Sequence, residues 1–369
     1  MAGPLDGITV IDLSTVIAGP YASQMLGDFG ARVIKIEPPG GDIMRAPGPA
    51  RSPGMGAAFL NCNRNKESRV LDLKDAGQRA ELLDLLDGAD VLLHNMRASA
   101  IGRLGLGYEA LRGRFPRLVY CAIVGYGQDG PYRDRPAYDD VIQAEAGWAE
   151  LYARTGGEPR YAPTIVADKT TGLHAVAAIN AALLARSVSG AGQAVEVPMF
   201  EVMASFLAVE HLAGRTFRPP LGDSGYSRVL SAHRRPYRTR DGHVCVMPYT
   251  ATHWRAFFTA AGREDWAADA ALGSDSARAA MIGALYERLA GCLPAETTGH
   301  WLALLRRLDI PCAPVNSIED LMEDEHLRAV GFFQEVEHPS EGAVVNARAP
   351  VRFSGPPCAP ARPAPPLER

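Results

Sequence analysis

Residues 8–37 read ITVIDLSTVIAGPYASQMLGDFGARVIKIE, a stretch in which two β-branched runs flank one helical segment. Ile8–Asp12 and Arg32–Glu37 predict strands, and Tyr21–Phe29 predicts the helix between them. The turn at Ser14–Pro20 follows the first strand, at the edge where open α/β sheets place their ligands. This stretch therefore predicts a strand–helix–strand unit of a parallel sheet.

The same alternation continues along the chain. Further strands are predicted at Val70–Leu73, Asp90–His94 and Leu118–Val124, with helices at Ala76–Leu86 and Leu173–Arg186. We expect an α/β fold in which a Rossmann-like large domain carries a mostly parallel sheet. A hairpin pattern at 237–247 predicts a smaller α+β domain. The expected boundaries are 1–190 for the large domain, 191–221 for a linker helix and connection, 222–309 for the small domain, and 310–369 for a return to the large domain with a Pro-rich tail.

Composition excludes several classes of function. The chain has 369 residues, 47% of them hydrophobic, and a net charge of −4 without a basic stripe, so we expect no nucleic-acid partner. No apolar run approaches the roughly 18 residues of a membrane span, and the N-terminus lacks a secretory pattern. The six cysteines have neither zinc-site nor disulfide spacing, which predicts reduced thiols in a cytoplasmic protein without a metal.

Asp168 is the most informative single residue. It lies in the run VADKTTG, residues 166–172, directly ahead of an apolar helical stretch. A carboxylate in the first helical turn faces unpaired backbone N–H groups and the positive end of the helix dipole, so we expect Asp168 to stay ionised. The alternative is an ordinary N-cap, for which Asp is a favoured residue.

Other polar segments carry less specific signals. Asn63-Arg64-Asn65-Lys66 supplies amides and cations that suit an anionic ligand, although a solvated loop has the same composition. Asp139 and Asp140 are adjacent, and adjacent residues diverge on a helix. The turn at Ser14–Pro20 is not Gly-x-Gly-x-x-Gly, and the chain contains no Gly-x-Ser-x-Gly or His-x-x-x-His pattern. A carboxylate nucleophile is therefore the best chemistry that the residues offer.

Taken in order, several motifs resemble those of the family III CoA-transferases of CaiB/BaiF type, a group that also contains the α-methylacyl-CoA racemases. The resemblance spans nearly the whole chain, and the fixed order of the motifs makes it specific. The matching pieces are Val16-x-Ala18-Gly19-Pro20, Lys35-x-Glu37-Pro38-x-Gly40-Gly41-Asp42, Asn63-Arg64-Asn65-Lys66-x-Ser68, Leu71-Asp72-Leu73-Lys74, Gly125-Tyr126-Gly127-Gln128-x-Gly130-Pro131-Tyr132, Tyr138-Asp139-x-x-x-Gln143-Ala144, Ala167-Asp168-x-x-Thr171-Gly172 and Ile310-Pro311-Cys312-Ala313-Pro314-Val315.

The resemblance implies a mechanism and a set of ligand contacts. Asp168 would attack an acyl-CoA thioester, giving a mixed anhydride and then an enzyme–CoA thioester, with oxyanions stabilised by N–H groups such as those that begin the following helix. It implies CoA and acyl-CoA as substrates, a small carboxylic acid as acceptor, no tightly bound cofactor, and an interlocked homodimer. The implied CoA contacts are Val16, Ala18, Asn63, Arg64, Asn65, Lys66, Asn95, Arg103, Tyr138 and Asp139.

Two alternatives remain open from the sequence. Racemases of this group carry a His-Asp pair where this chain has Tyr138-Asp139. Proton exchange at an α-carbon needs a second base, and tyrosine, with an ordinary pKa of about 10, is a poor one. The motif therefore favours a transferase over an acyl-CoA racemase or epimerase. A CoA-binding protein without catalysis is the other alternative, and the intact Asp168 motif does not favour it.

Overall fold

The computed structural model describes residues 3–367 and contains a six-stranded, all-parallel sheet with the strand order β3-β2-β1-β4-β5-β6. Every neighbouring pair is parallel. The predicted α/β fold with a parallel sheet is thereby confirmed. The strands are β1 Thr9–Asp12, β2 Arg32–Glu37, β3 Lys66–Val70, β4 Val91–His94, β5 Val119–Val124 and β6 Ala194–Pro198.

The strand order reverses at the centre of the sheet. β1 pairs with β2 on one side and with β4 on the other, so the chain leaves β1 and β4 toward opposite faces. In open parallel sheets the crevice at the carboxyl ends of two such strands is where ligands bind. The turns that follow Asp12 and His94 therefore frame the site.

Helices cover both faces of this sheet. One face buries Val10, Val33 and Leu93 against α1 and α8, and the other buries Ile11, Ile34 and Leu92. Successive strand residues thus contribute to opposite cores, as the two-residue repeat of a strand requires. The helices in the first two-thirds of the chain are α1 Ala18–Asp28, α2 Ala57–Cys62, α3 Ala76–Asp87, α4 Ala98–Arg103, α5 Tyr108–Leu111, α6 Asp139–Glu145, α7 Trp148–Arg154, α8 Val166–Ser189 and α9 Met199–His211.

Helix α8 is longer than predicted, because it begins at Val166 and not at Leu173. It ends at Gly190, whose φ of 76° is the left-handed conformation that glycine adopts without strain. Gly172 lets α8 approach α1, since a Cβ there would lie 2.8 Å from the carbonyl oxygen of Ala18. Among the described residues, α8 is the one helix long and apolar enough to cross a membrane, a test that core helices of soluble proteins also pass.

The third strand was predicted in the wrong place. The pattern indicated Val70–Leu73, whereas β3 spans Lys66–Val70. Its inward-facing residues are Lys66 and Ser68, which are buried and hydrogen-bond to Asp12 and Glu37. A strand whose buried side is polar has no apolar alternation to reveal it.

Two compact units make up the structure. The first comprises the described residues up to Trp148, Tyr161–Leu207 and the described residues from Glu325 onwards; the second comprises Ala149–Arg160 and Ala208–Asp324. These bounds differ from the predicted ones at 190, 221 and 309. One physical reason is that Cys312–Pro314 forms a strand that pairs with His243–Val246 of the second unit.

The second unit has its own core. The predicted hairpin is present as β7 Tyr237–Arg238 and β8 His243–Val246, and β9 Cys312–Pro314 completes an antiparallel sheet. Large aromatic side chains such as Trp254, Phe257 and Trp301 fill the space beside it. Its further helices are α10 Ala251–Ala260, α11 Glu264–Ala267, α12 Asp275–Ala280, α13 Ile282–Cys292, α14 Thr298–Arg307 and α15 Ile318–Glu323.

The C-terminal part of the first unit starts with α16 Glu325–Ala329 and continues in an antiparallel hairpin, β10 Phe333–His338 and β11 Gly342–Ala347. The Pro-rich tail then lies along the large unit. Arg362 exchanges two hydrogen bonds with Asn65, and the guanidinium of Arg45 donates to the carbonyl of Pro365 at 3.2 Å. The tail is therefore held by main-chain contacts that composition alone does not predict.

Candidate active site

A cavity of about 230 Å³ opens at the carboxyl ends of the central strands. Asp168 is the one carboxylate among the described residues that line it, and Arg97, Arg133 and Arg135 supply positive charge. The remaining lining residues come from the ends of β1, β4 and β5 with the segments that follow them, from the segment after β2, from the segment before α6 and from the start of α9. They are Thr15, Val16, Ala18, Ile43, Asn95, Met96, Ala98, Ile123, Val124, Gly125, Gln128, Ala137, Tyr138 and Met199.

Asp168 is the third residue of α8, not its N-cap. Ile165 occupies the N-cap position and makes no side-chain capping bond. The backbone N–H of Asp168 donates to Oδ1 of Asp139 at 2.9 Å, so Asp139 caps the helix from a distant part of the chain. The ordinary N-cap interpretation therefore does not describe Asp168, whose carboxylate lies at the cavity wall.

The ionisation of Asp168 differs from the expectation. Burial, and after it the negative charge of Asp139, raises the pKa of Asp168 from 3.8 to about 7. The expectation that the helix N-terminus keeps this carboxylate ionised was wrong, because desolvation and a like charge both favour the protonated form. Near neutral pH the group exchanges its proton readily, as a nucleophile that must also act as a leaving group should.

Asp139 is itself buried behind the cavity. Its side chain is 6% exposed, and its Oδ2 accepts a hydrogen bond from Nε2 of Gln143 at 2.5 Å. Oε1 of the same Gln143 amide accepts from the N–H of Ala162 at 2.8 Å. Asp139 does not line the cavity, so it influences the site through its hydrogen bond to Asp168 and its charge.

The N–H groups at the start of α8 are largely engaged. Val166 donates to the carbonyl of Thr164 at 2.8 Å, and Asp168 donates to Asp139. The start of α1 is different: within the described chain, no hydrogen bond is formed by the N–H groups of Ala18 and Gly19. Ala18 lines the cavity, so these free N–H groups lie at or next to the cavity wall.

The sequence-predicted contacts Val16, Ala18, Asn95 and Tyr138 all lie at this cavity. Val16 has a φ of 72°, which is unusual for a β-branched residue. Asn95 holds the turn that contains Val16, because its amide both donates to and accepts from the backbone of Thr15. Tyr138 is 68% exposed and precedes α6 as its N-cap.

A larger cavity of about 600 Å³ adjoins the first, and the two share Thr15, Asn95 and Met96. Arg103 lies here, as do two basic residues that the sequence analysis missed, Lys74 and Arg79. Lys74 is the last residue of the motif Leu71-Asp72-Leu73-Lys74, so its positive charge could have been used to predict a contact with an anionic ligand. The other residues that line the larger cavity are mainly apolar: Leu13, Ile36, Glu37, Pro38, Leu71, Asp72, Leu73, Ala100 and Leu104.

The segment Asn63–Lys66 lines neither cavity. All four side chains are buried. Arg64 forms a bidentate pair with Asp28, Asn65 donates to the same carboxylate, and Lys66 donates to Asp12 and to the oxygen of Asn63. With these groups engaged inside the protein, the geometry gives no support to the predicted CoA contact of this segment, which stays a prediction.

The described part of the chain contains no cluster of side chains suited to bind a metal ion. Across residues 3–367, no group of three or more His, Cys, Asp or Glu side chains is placed to hold an ion. The charged side chains that line the cavity among these residues are one carboxylate and three guanidinium groups.

Comparison with known proteins assigns the chain to a family. A sequence model of CoA-transferase family III matches residues 5–369. The succinate–glutarate CoA-transferase of Agrobacterium fabrum is 34% identical, over 99% of this chain and 93% of its own. The acetyl-CoA:oxalate CoA-transferase of Acetobacter aceti is 32% identical, over 96% and 90%.

A solved structure agrees with these sequence matches. The crystal structure of a CaiB/BaiF family protein from Brucella suis superposes with a TM-score of 0.84 at 31% identity, covering 100% of this chain and 97% of that one. The family indicated by the order of the sequence motifs is thereby confirmed, and the chain belongs to CoA-transferase family III, a family of enzymes.

Proposed function

We propose that this enzyme moves CoA from an acyl-CoA to a carboxylic acid, with Asp168 as the nucleophile. The observation that carries the proposal is the position of Asp168 as the one carboxylate among the described residues lining the cavity. A thioester entering there meets no serine, cysteine or lysine nucleophile among those residues. Covalent catalysis by a carboxylate conserves the energy of the thioester, because each step exchanges one activated acyl group for another.

The reaction proceeds through two kinds of covalent intermediate. An Oδ of ionised Asp168 attacks the thioester carbonyl, the C–S bond breaks, and the CoA thiolate leaves behind a mixed anhydride. The thiolate then attacks the Asp168 carbonyl, which releases the donor acid and forms an aspartyl–CoA thioester. The acceptor carboxylate attacks this thioester, and the same steps in reverse order release the new acyl-CoA and free Asp168.

Main-chain donors support this chemistry. Each tetrahedral intermediate carries an oxyanion, and preorganised N–H groups in a dry site stabilise such charge. The free N–H groups of Ala18 and Gly19 begin α1 at the cavity, where the positive end of the helix dipole adds to their effect. We assign the oxyanion-stabilising role to them rather than to the first turn of α8.

The two cavities suggest how CoA binds. Lys74, Arg79 and Arg103 supply cations to the larger cavity, which suits the phosphates of the nucleotide end. Asn95 and Thr15 lie at the junction, where the pantetheine arm would pass toward Asp168. Val16, Ala18 and Tyr138 would then contact the thioester end.

We further propose a homodimer, interlocked as the resemblance implies. Leu173, Leu184 and Val188 share one face of α8 and are 52%, 70% and 87% exposed. A second copy of the chain would cover this apolar stripe. Light scattering is expected to give twice the mass of one chain. The six cysteines are all free thiols, which supports a reducing compartment such as the cytoplasm.

The decisive experiment is mass spectrometry of the protein after exposure to acetyl-CoA and succinyl-CoA, the probes suggested by the names of relatives. We expect a CoA adduct on the peptide that contains Asp168. Asp168→Asn is the matched control, since it keeps the shape of the side chain and should carry no adduct. Hydroxylamine added with acyl-CoA should inactivate the native enzyme and leave the variant unmodified.

The same samples test the alternatives. Deuterium incorporation at the α-carbon of the acyl group without an acceptor acid, and without an adduct, would indicate a racemase. CoA binding with neither adduct nor exchange would indicate a binding protein. Either result would overturn the transferase proposal.

A further inference from the structure

The turn between β1 and α1 is held by side chains from four separate segments. The N–H of Ser14 donates to Asp12, and its carbonyl accepts from Nζ of Lys35 at 2.7 Å. Both backbone polar groups of Thr15 bond to the amide of Asn95. Turns are usually solvated, whereas this one is anchored group by group to the protein interior.

Lys35 and Asp42 hold the turn on both sides of Thr15, directly ahead of Val16. Oδ1 of Asp42 accepts from the N–H of Val16 at 3.2 Å and from the N–H of Met44 at 3.0 Å. Its Oδ2 lies 2.9 Å from Nζ of Lys35, and both side chains are completely buried. The pair thus connects the carbonyl of Ser14 to the N–H of Val16, the two groups that flank Thr15, and so fixes the peptide unit that leads into the left-handed residue Val16.

The left-handed backbone conformation is unfavourable for Val16. Val16 has a φ of 72°, a conformation that costs a β-branched residue free energy and persists only where the surroundings enforce it. The next residue, Ile17, is the N-cap of α1, followed by the free N–H groups of Ala18 and Gly19. The conformation of Val16 therefore determines where these donors point relative to Asp168.

We infer that the buried pair Lys35–Asp42 is a positioning device, which holds Val16 in its left-handed conformation and so fixes the start of α1 opposite Asp168. The inference rests on the proposed function. Lys35 and Asp42 do not line the cavity that contains Asp168, so they act through the turn. Their loss should slow the covalent step while CoA still binds, since small misplacements of donors cost far more in rate than in affinity.

The test is the double variant Lys35→Met/Asp42→Asn, which removes both charges and leaves neither unpaired. We expect the single-turnover rate of adduct formation on Asp168 to fall by about 10- to 100-fold. CoA affinity, measured by calorimetry, should change by less than about threefold. The probe is whichever of acetyl-CoA and succinyl-CoA reacts faster with the native enzyme.

A second substitution separates positioning from general stability. Adding Val16→Gly to the double variant supplies a residue that adopts a positive φ without strain. It should recover at least about fivefold of the lost rate if the pair acts by enforcing this conformation. Should the double variant fail to fold, Lys35→Arg keeps a positive charge opposite Asp42 and alters the contact with the carbonyl of Ser14, so a smaller loss of rate is expected, which Val16→Gly should again offset.

The matched control is Arg186→Met/Asp90→Asn, which removes a partly buried pair with an N–O distance of 2.7 Å at the far end of α8. It should leave the rate of adduct formation within about twofold of native. An unchanged rate in the Lys35/Asp42 variant, an equal loss in the control, or no recovery with glycine overturns the inference. Absence of an adduct in the native enzyme instead overturns the proposed function, so the two failures are distinct.

Discussion

Two carboxylates at the same edge of the sheet have pKa values that are shifted in opposite directions. Asp12 ends β1 and Asp168 begins α8. Burial alone would raise the pKa of Asp12, but the charges of Lys66 and Lys35, with hydrogen bonds from Ser14 and Ser23, lower it to about 2. Burial and the charge of Asp139 raise that of Asp168 to about 7. The difference shows that neighbouring charges and hydrogen bonds, and not burial, distinguish a structural carboxylate from a reactive one.

The largest expected effect is on turnover. Asp168→Ala should lower kcat by at least about 1,000-fold, because no other carboxylate among the described residues lines the cavity to form the anhydride. CoA binding, measured by calorimetry, should persist. Residual turnover within about tenfold of native would show that Asp168 is not the nucleophile, and the functional contrast with Asp12 would then be wrong.

The next effect concerns folding. Asp12→Asn should reduce the free energy of unfolding by about 3–5 kcal/mol, because it leaves the ammonium groups of Lys66 and Lys35 buried with one fewer counter-charge. Urea denaturation at pH 7 measures this loss. Replacing Lys66 with Met in the same chain should restore part of the stability, and a loss below about 1 kcal/mol would contradict the structural role of Asp12.

Asp168→Asn should change the free energy of unfolding in the opposite direction from Asp12→Asn. The folded-state pKa of about 7 lies above the ordinary 3.8, so ionising Asp168 destabilises the fold progressively as the pH rises between these values. The substitution should therefore raise the free energy of unfolding by about 1–3 kcal/mol at pH 8, and by little near pH 4. Urea denaturation at both pH values tests this, and equal gains at both would refute the raised pKa.

The smallest effect is a shift in a pH profile. The rate of adduct formation on Asp168 should rise with pH to a plateau, with an apparent pKa near 7. Asp139→Asn removes the like charge and keeps an oxygen for the N–H of Asp168, so the profile should move to lower pH by up to about one unit. An unmoved profile would leave burial as the sole cause of the raised pKa.

Much of the fold was predictable from local pattern. β1, β2 and α1 follow apolar periodicity, and the hairpin of the second unit follows its turn signal. β3 was misplaced, because Lys66 and Ser68 point inward and break the alternation. The partners of Asn63–Lys66 could not be predicted for a related reason: a polar segment looks the same in sequence whether its partners are solvent, a ligand or buried side chains.

By itself, the sequence determined the family, the parallel sheet and the choice of Asp168, because periodicity and ordered motifs are properties of neighbouring residues. Only the tertiary structure decided that the pKa of Asp168 lies near neutrality and that the pKa of Asp12 lies far below it. Desolvation and charge act through space, and Asp139, which contributes to the raised pKa of Asp168, is 29 residues away along the chain.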